Sequence, residues 1–142
     1  MTVSIGSDHA GFELKEDLIK YLKRNNVTVI DKGCYSSERA DYPDYGHAVA
    51  NSVLSKECNL GIVVCGSGNG INMSVNKHKG IRGALCWNRE IAALARQHND
   101  ANIMALPARF IKSEEAHACA DAFLHSVFEG GRHADRVQKI DC

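Results

Sequence analysis

The chain has 142 residues, 44% hydrophobic and 24% charged, a composition that excludes a disordered or low-complexity polymer. Lys plus Arg and Asp plus Glu number 17 each, so the net charge is zero and the basic excess of a duplex-binding protein is missing. No run of about 18 apolar residues occurs, which argues against a membrane span, and the near-zero charge leaves self-association open.

A chain of this size forms one domain, residues 1–142, able to bury roughly 70% of its unfolded surface. Val3-Ser4-Ile5 reads as a first strand. Gly11 to Arg24 follows as an amphipathic helix, with Leu14, Leu18 and Leu22 at four-residue spacing and Lys15, Glu16 and Lys23 flanking them. The β-branched run Val27-Thr28-Val29-Ile30 is a second strand. Pro43 to Leu54 reads as a helix with proline in its first turn. Leu60 to Val64 is continuously apolar, as a parallel strand covered on both faces requires. A glycine loop, a helix over about Ile71 to Lys77, a strand Gly83 to Cys86 and a helix Arg89 to Arg96 come next. Strand Ile103 to Leu106, helix Glu114 to Val127 and a polar tail to Cys142 complete the chain.

This alternation predicts an α/β fold: a single Rossmann-like three-layer domain with a mostly parallel five-stranded sheet. The N-terminus shows no basic region followed by an apolar stretch, so no export signal is expected. The six cysteines (34, 58, 65, 86, 119 and 142) include no Cys-x-x-Cys pair, which leaves a zinc ribbon or thioredoxin motif without an anchor. With a full apolar core they are expected as reduced thiols in a cytoplasmic protein.

In open parallel sheets ligands bind beyond the carboxyl ends of the strands, which directs attention to three loops. In Cys65-Gly66-Ser67-Gly68-Asn69-Gly70, alternating glycines let backbone N–H groups converge just ahead of a helix. Such a nest suits a phosphate or a developing oxyanion. It lacks the Gly-Lys-Ser/Thr of a Walker loop, the strand-one position of a dinucleotide fingerprint, and the arginine of a Cys-x5-Arg phosphatase loop, since Ile71 stands there. A tight turn with Cys65 as a small buried residue explains the same peptide equally well. Asp8-His9 ends strand one; a helix cap by Asp8 is the plain alternative. Gln97-His98-Asn99-Asp100 reads on composition as a solvated turn. Arg132 and Arg136 fall on one side if the tail is helical and match phosphate geometry, although a solvated tail fits them too. Arg109 and the Asp41-Tyr42-Pro43 turn are similarly two-sided. His47, His78, His117 and His125 have no metal-ligand company and read as structural or surface residues.

Five peptides together resemble one family over essentially the whole chain. Ser7-Asp8-His9-Ala10-Gly11-Phe12, Asp41-Tyr42-Pro43, Cys65 to Ile71, Arg96 to Asp100 and Glu129 to His133 follow the order and spacing of ribose-5-phosphate isomerase B. The resemblance implies Cys65 as the base that moves a proton between C1 and C2 of a sugar phosphate, and His98 as the ring-opening residue assisted by Asp8. Ser67 and the amides of Gly66, Gly68, Asn69 and Gly70 would hold the enediolate oxygen, Asn99 the sugar, and His9, Arg109, Arg132 and Arg136 the phosphate. Tyr42 would line the pocket. The family is dimeric, so a homodimer is implied, with tetramer formation open and His98 supplied by the partner chain. Some members carry a glutamate after the glycine loop and no cysteine; Ile71 at that position puts this chain with the cysteine subgroup. Ser67 stands where threonine often occurs, and the hydroxyl is kept.

The physical requirements agree. A proton shift between adjacent carbons needs a base, donors for the enediolate oxygens and a phosphate clamp, with no metal or redox cofactor. Converging amides favour the thiolate of a cysteine placed among them. The alternatives are isomerisation of a six-carbon sugar phosphate (allose 6-phosphate or galactose 6-phosphate), a non-catalytic sugar-phosphate sensor, which needs none of Cys65, Ser67 and His98, and a thiol redox protein, which lacks a second nearby cysteine.

Overall fold

The computed structural model describes residues 1–142. In chain order the elements are β1 (Thr2–Ser7), α1 (Phe12–Arg24), β2 (Thr28–Asp31), α2 (Tyr42–Leu54), β3 (Leu60–Cys65), α3 (Asn69–Val75), β4 (Gly83–Leu85), α4 (Arg89–Asn99), β5 (Ile103–Pro107), α5 (Ser113–His125) and α6 (Arg132–Val137). The strands form one sheet, β2-β1-β3-β5-β4, and every pairing is parallel, where the sequence suggested only a mostly parallel sheet.

The apolar runs explain the layering. Every residue of β3 and of β5 is buried, as strands covered on both faces must be. Successive side chains alternate between faces. Ile62 and Val64 thus join Leu18, Leu22, Leu106 and Phe123 under α1, α4 and α5. Val63 and Cys65 join Val49, Ile71 and Ile103 under α2 and α3. Lys15, which the sequence pattern put on the polar flank of α1, is fully buried; Glu16 and both oxygens of Asp31 hold its ammonium at 2.9 Å. A buried ammonium persists only when paired in this way.

The chain runs from β1 outward to β2 and then crosses to β3 on the other side of β1. Strand order therefore reverses between β1 and β3, and a crevice opens outside their carboxyl ends. Each helix leaving a strand's carboxyl end runs back to the amino edge of the sheet.

Strand and helix ends shift by a residue or two from the sequence reading, and four differences bear on the site. Helix α2 starts at Tyr42, with Pro43 behind it. Helix α3 starts at Asn69, so Asn69 and Gly70 belong to its first turn, not to the loop. Helix α4 runs one turn past Arg96, so Gln97, His98 and Asn99 are helical, not a solvated turn. Its stop is Asp100 at φ 47°, with the Ala101 N–H donating to the Ala95 carbonyl at 3.0 Å, a C-cap built without glycine. The polar tail contains α6, reached through Gly130 and Gly131, whose φ values of 66° and 56° favour glycine.

Candidate active site

Cys65 is the last residue of β3 and lines a cavity of about 440 Å³ at the switch point. The cavity is lined by Asp8, His9 and Ala10 beyond β1, by Cys65, Gly66, Ser67 and Gly70 beyond β3, by Tyr42 of α2, and by Arg109 and Phe110 beyond β5. Main-chain bonds lock these loops together. The Ala108 N–H donates to the Cys65 carbonyl at 2.9 Å and the Arg109 N–H to the Gly66 carbonyl at 3.0 Å.

The glycines of the loop answer different needs. A Cβ on Gly66 would lie 3.1 Å from Arg109 Nη1, so the guanidinium rests directly on the loop backbone. A Cβ on Gly70 would lie 2.6 Å from Tyr42 Cε1, so the tyrosine ring keeps its place only over glycine. Gly68 has φ 77°, the left-handed turn that starts α3. Because α3 has only seven residues, the loop amides rather than a long helix dipole supply the positive field. Ser67 is exposed at the mouth of the crevice, and its Oγ accepts the Asn69 N–H at 3.3 Å.

Asp8 lines the crevice and is not the helix cap, which is Gly11. Its Oδ1 accepts the N–H of Gly11 at 3.0 Å. His9 Nδ1 sits 3.1 Å from the Ala40 carbonyl and 3.2 Å from the Ala40 amide nitrogen, which leaves Nε2 for a ligand. A thiol, a carboxylate, an imidazole, a guanidinium and converging amides thus share one cavity. That set suits a small polar ligand carrying an anionic group.

The remaining candidates form a second group. His98 and Asn99 end α4, and Arg132 and Arg136 lie exposed on α6, packed beside α4. All four belong to the amino edge of the sheet, and β5, five residues long at about 3.3 Å per residue, separates that edge from Pro107, the partner of Cys65. Within one chain they do not meet the crevice. Asn99 borders a separate hollow of about 240 Å³ with Arg82 and Ala84.

Sequence reasoning assigned no role to Phe110, which is 75% exposed at the crevice rim, or to His133 and Glu129, which surround His98. Adjacency to Arg109 was the only available signal for Phe110. His133 is pushed below the ordinary histidine range, first by burial, then by neighbouring His98 and Arg132, with Glu129 acting the other way. His47 and His78 form a hydrogen-bonded pair, Nδ1 to Nε2 at 2.8 Å, and His117 Nε2 meets Asp17 at 2.6 Å.

A parallel doubly wound sheet with a thiol, a glycine loop, an imidazole and a guanidinium at its switch point places the chain among α/β proteins whose crevice suits a small anionic ligand. The chain belongs to the ribose/galactose isomerase family, whose model matches residues 3–140. It is 45% identical over 138 residues to ribose-5-phosphate isomerase B of Escherichia coli K12, covering 97% of this chain and 93% of that one. Ribose-5-phosphate isomerase B of Clostridium thermocellum superposes with a TM-score of 0.97 at 48% identity, covering 99% of this chain and 95% of that one. The Mycoplasma genitalium ribose-5-phosphate isomerase B, solved with bound ribulose-5-phosphate, gives a TM-score of 0.92 at 42% identity, covering 98% and 93%. No helix of the chain is long and apolar enough to cross a membrane.

Proposed function

We propose that this chain is an aldose–ketose isomerase that interconverts ribose 5-phosphate and ribulose 5-phosphate, a step of the non-oxidative pentose phosphate pathway, in a homodimer. The observation that carries the proposal is the placement of Cys65 in the switch-point crevice together with the glycine loop, Arg109 and His9. The named relatives and the ribulose-5-phosphate bound to the Mycoplasma genitalium protein support the substrate. Six free cysteines, five of them buried, favour a cytoplasmic setting.

The site works as two halves. His98 of the partner subunit takes the proton of the anomeric hydroxyl as the bond from C1 to the ring oxygen breaks; that oxygen takes a proton from solvent beside Asp8, and His98 then releases its own proton to solvent. Deprotonated Cys65 then takes the C2 proton, and charge develops on O1. Ser67 and the amides of Gly66, Gly68, Asn69 and Gly70 hold the enediolate. Cys65 returns the proton to C1 while the O2 proton passes to O1, leaving a ketose. No electrons leave the substrate, so the reaction balances without a redox partner. His9 and Arg109 grip the phosphate from one chain, with Arg132 and Arg136 of the partner subunit opposite them, and Asn99 of the partner subunit meets the sugar. Tyr42 closes the wall over Gly70. Remote phosphate binding of this kind supplies orientation at the reacting carbons.

The test is turnover of ribose 5-phosphate beside allose 6-phosphate and galactose 6-phosphate, with chelator present. Ribose 5-phosphate should be preferred, and Cys65→Ala should lower its turnover by about 10²–10⁴-fold with the fold intact. A loss under about tenfold removes Cys65 as the base. Preference for a six-carbon substrate moves the assignment within the family.

A further inference from the structure

His98 does not stand alone at the end of α4. The His133 ring stacks on it with centroids 4.2 Å apart and an interplanar angle of 11°. One carboxylate oxygen, Glu129 Oε1, lies 3.8 Å from His98 Nε2 and 3.7 Å from His133 Nε2. This arrangement is built by main-chain bonds: the Glu129 N–H donates to the Gln97 carbonyl at 3.0 Å, and the His133 N–H to the Gly130 carbonyl at 3.0 Å. The positive φ values of Gly130 and Gly131 fold α6 back onto α4. The His133 side chain is only 12% exposed, against 38% for His98.

We propose that His133 is a positioning residue for His98: it fixes the imidazole plane by stacking and, by sharing Glu129 with it, keeps the pair from holding two protons. This deepens the proposed function and rests on His98 opening the sugar ring. A freely rotating imidazole would seldom point at the anomeric hydroxyl, and a stacked one is pre-aimed. Two stacked imidazolium rings would repel, with a single carboxylate to offset both. The charged groups facing His133 are His98 from α4, Glu129 from the preceding turn, and Arg132 and Arg136 on its own helix; only Glu129 favours its protonation. Arg96, also on α4, is turned away to Asp100 and the Ala101 carbonyl, at 3.0 and 2.6 Å. A ring-opening base is useful only while neutral.

Four substitutions test the proposal in the full-length protein. His133→Phe keeps a flat ring and removes the competing nitrogen, so Glu129 serves His98 alone and the midpoint of the His98 ring-proton NMR titration should rise. Glu129→Gln should lower it. The resonance is assigned by its loss in His98→Asn. His133→Ala removes the stack, and turnover of ribose 5-phosphate should fall roughly tenfold or more, with His133→Phe recovering most of it. Exchange of the transferable proton of ribulose 5-phosphate with solvent, which needs no ring opening, should stay at the parental rate in all three of the His133 and Glu129 variants. An unchanged His98 midpoint in both His133→Phe and Glu129→Gln overturns the proposal, as does a His133→Phe protein as slow as His133→Ala. Should His133→Ala fail to fold, the two titrations decide alone. If His98→Asn leaves ribose 5-phosphate turnover intact, the ring-opening role itself falls, while the titrations still report whether His133 governs His98.

Discussion

Six thiols occupy different environments in this molecule, and their differences predict how it meets an alkylating reagent. Cys86 and Cys119 are buried side by side, and burial above all pushes each up to about 12, so neither offers a thiolate near neutrality. Cys34 and Cys58 are buried, and Cys142 is exposed at the C-terminus. Cys65 alone lines the crevice. Iodoacetamide should therefore inactivate the enzyme through Cys65, and ribulose 5-phosphate should slow the loss. Cys142→Ser should inactivate at the parental rate, and a resistant Cys142→Ser protein would place the sensitive thiol at the terminus instead. At this scale the glycine loop stood out as a candidate only in company, because a tight turn explained the peptide equally well until the other four peptides joined it. The Lys15 burial, the Phe110 rim and the His98–His133 stack were not legible, because each arises between residues that only the fold brings together.

The joint between β1 and α1 carries Asp8 and His9 into the crevice and depends on close backbone approach. A Cβ on Gly11 would lie 2.6 Å from the Val64 carbonyl oxygen and 2.8 Å from its carbon, atoms of β3 that cannot step aside. Gly11→Ala should cost about 1–3 kcal/mol, read as a lower urea midpoint at unchanged m-value. An unmoved midpoint would show that α1 gives way freely. A second joint links α2 to the turn after α3 through the His47–His78 hydrogen bond. Burial first, and then His47, hold His78 below its unfolded value of 6.5. As pH falls through 6.5 the unfolded chain binds more protons than the folded one, so stability drops on acidification. His78→Gln should flatten that part of the midpoint-against-pH curve; an equal slope would remove the pair as its source. Element types were readable from β1 to α5, since β3 and β5 are continuously apolar and several helices carry turn-spaced leucines or alanines. Ends failed where the stop was unusual. Asp100 in a left-handed conformation ends α4 without glycine, and the Gly130-Gly131 pair leads into α6 inside the segment read as a polar tail.

At the scale of the whole molecule, the proposed site residues divide between opposite edges of one sheet. The thiol, glycine loop, Asp8, His9 and Arg109 lie at the carboxyl edge, and His98, Asn99, Arg132 and Arg136 belong to the amino edge. A two-fold dimer that sets the first half of each chain against the second half of the other builds two sites and leaves neither half idle. The resemblance implied that His98 comes from the partner chain, but composition and spacing did not place the proposed residues on opposite edges, because that placement depends on strand length and the direction of return of α4. Proteins inactivated by Cys65→Ala and by His98→Asn, unfolded together and refolded as a mixture, test it directly. Random pairing makes about half the dimers mixed, and each mixed dimer gathers both defects in one site and leaves the other whole. About a quarter of parental ribose 5-phosphate isomerase activity should return, measured against parent protein taken through the same cycle. A mixture that stays inactive while the parent recovers would contradict the shared site.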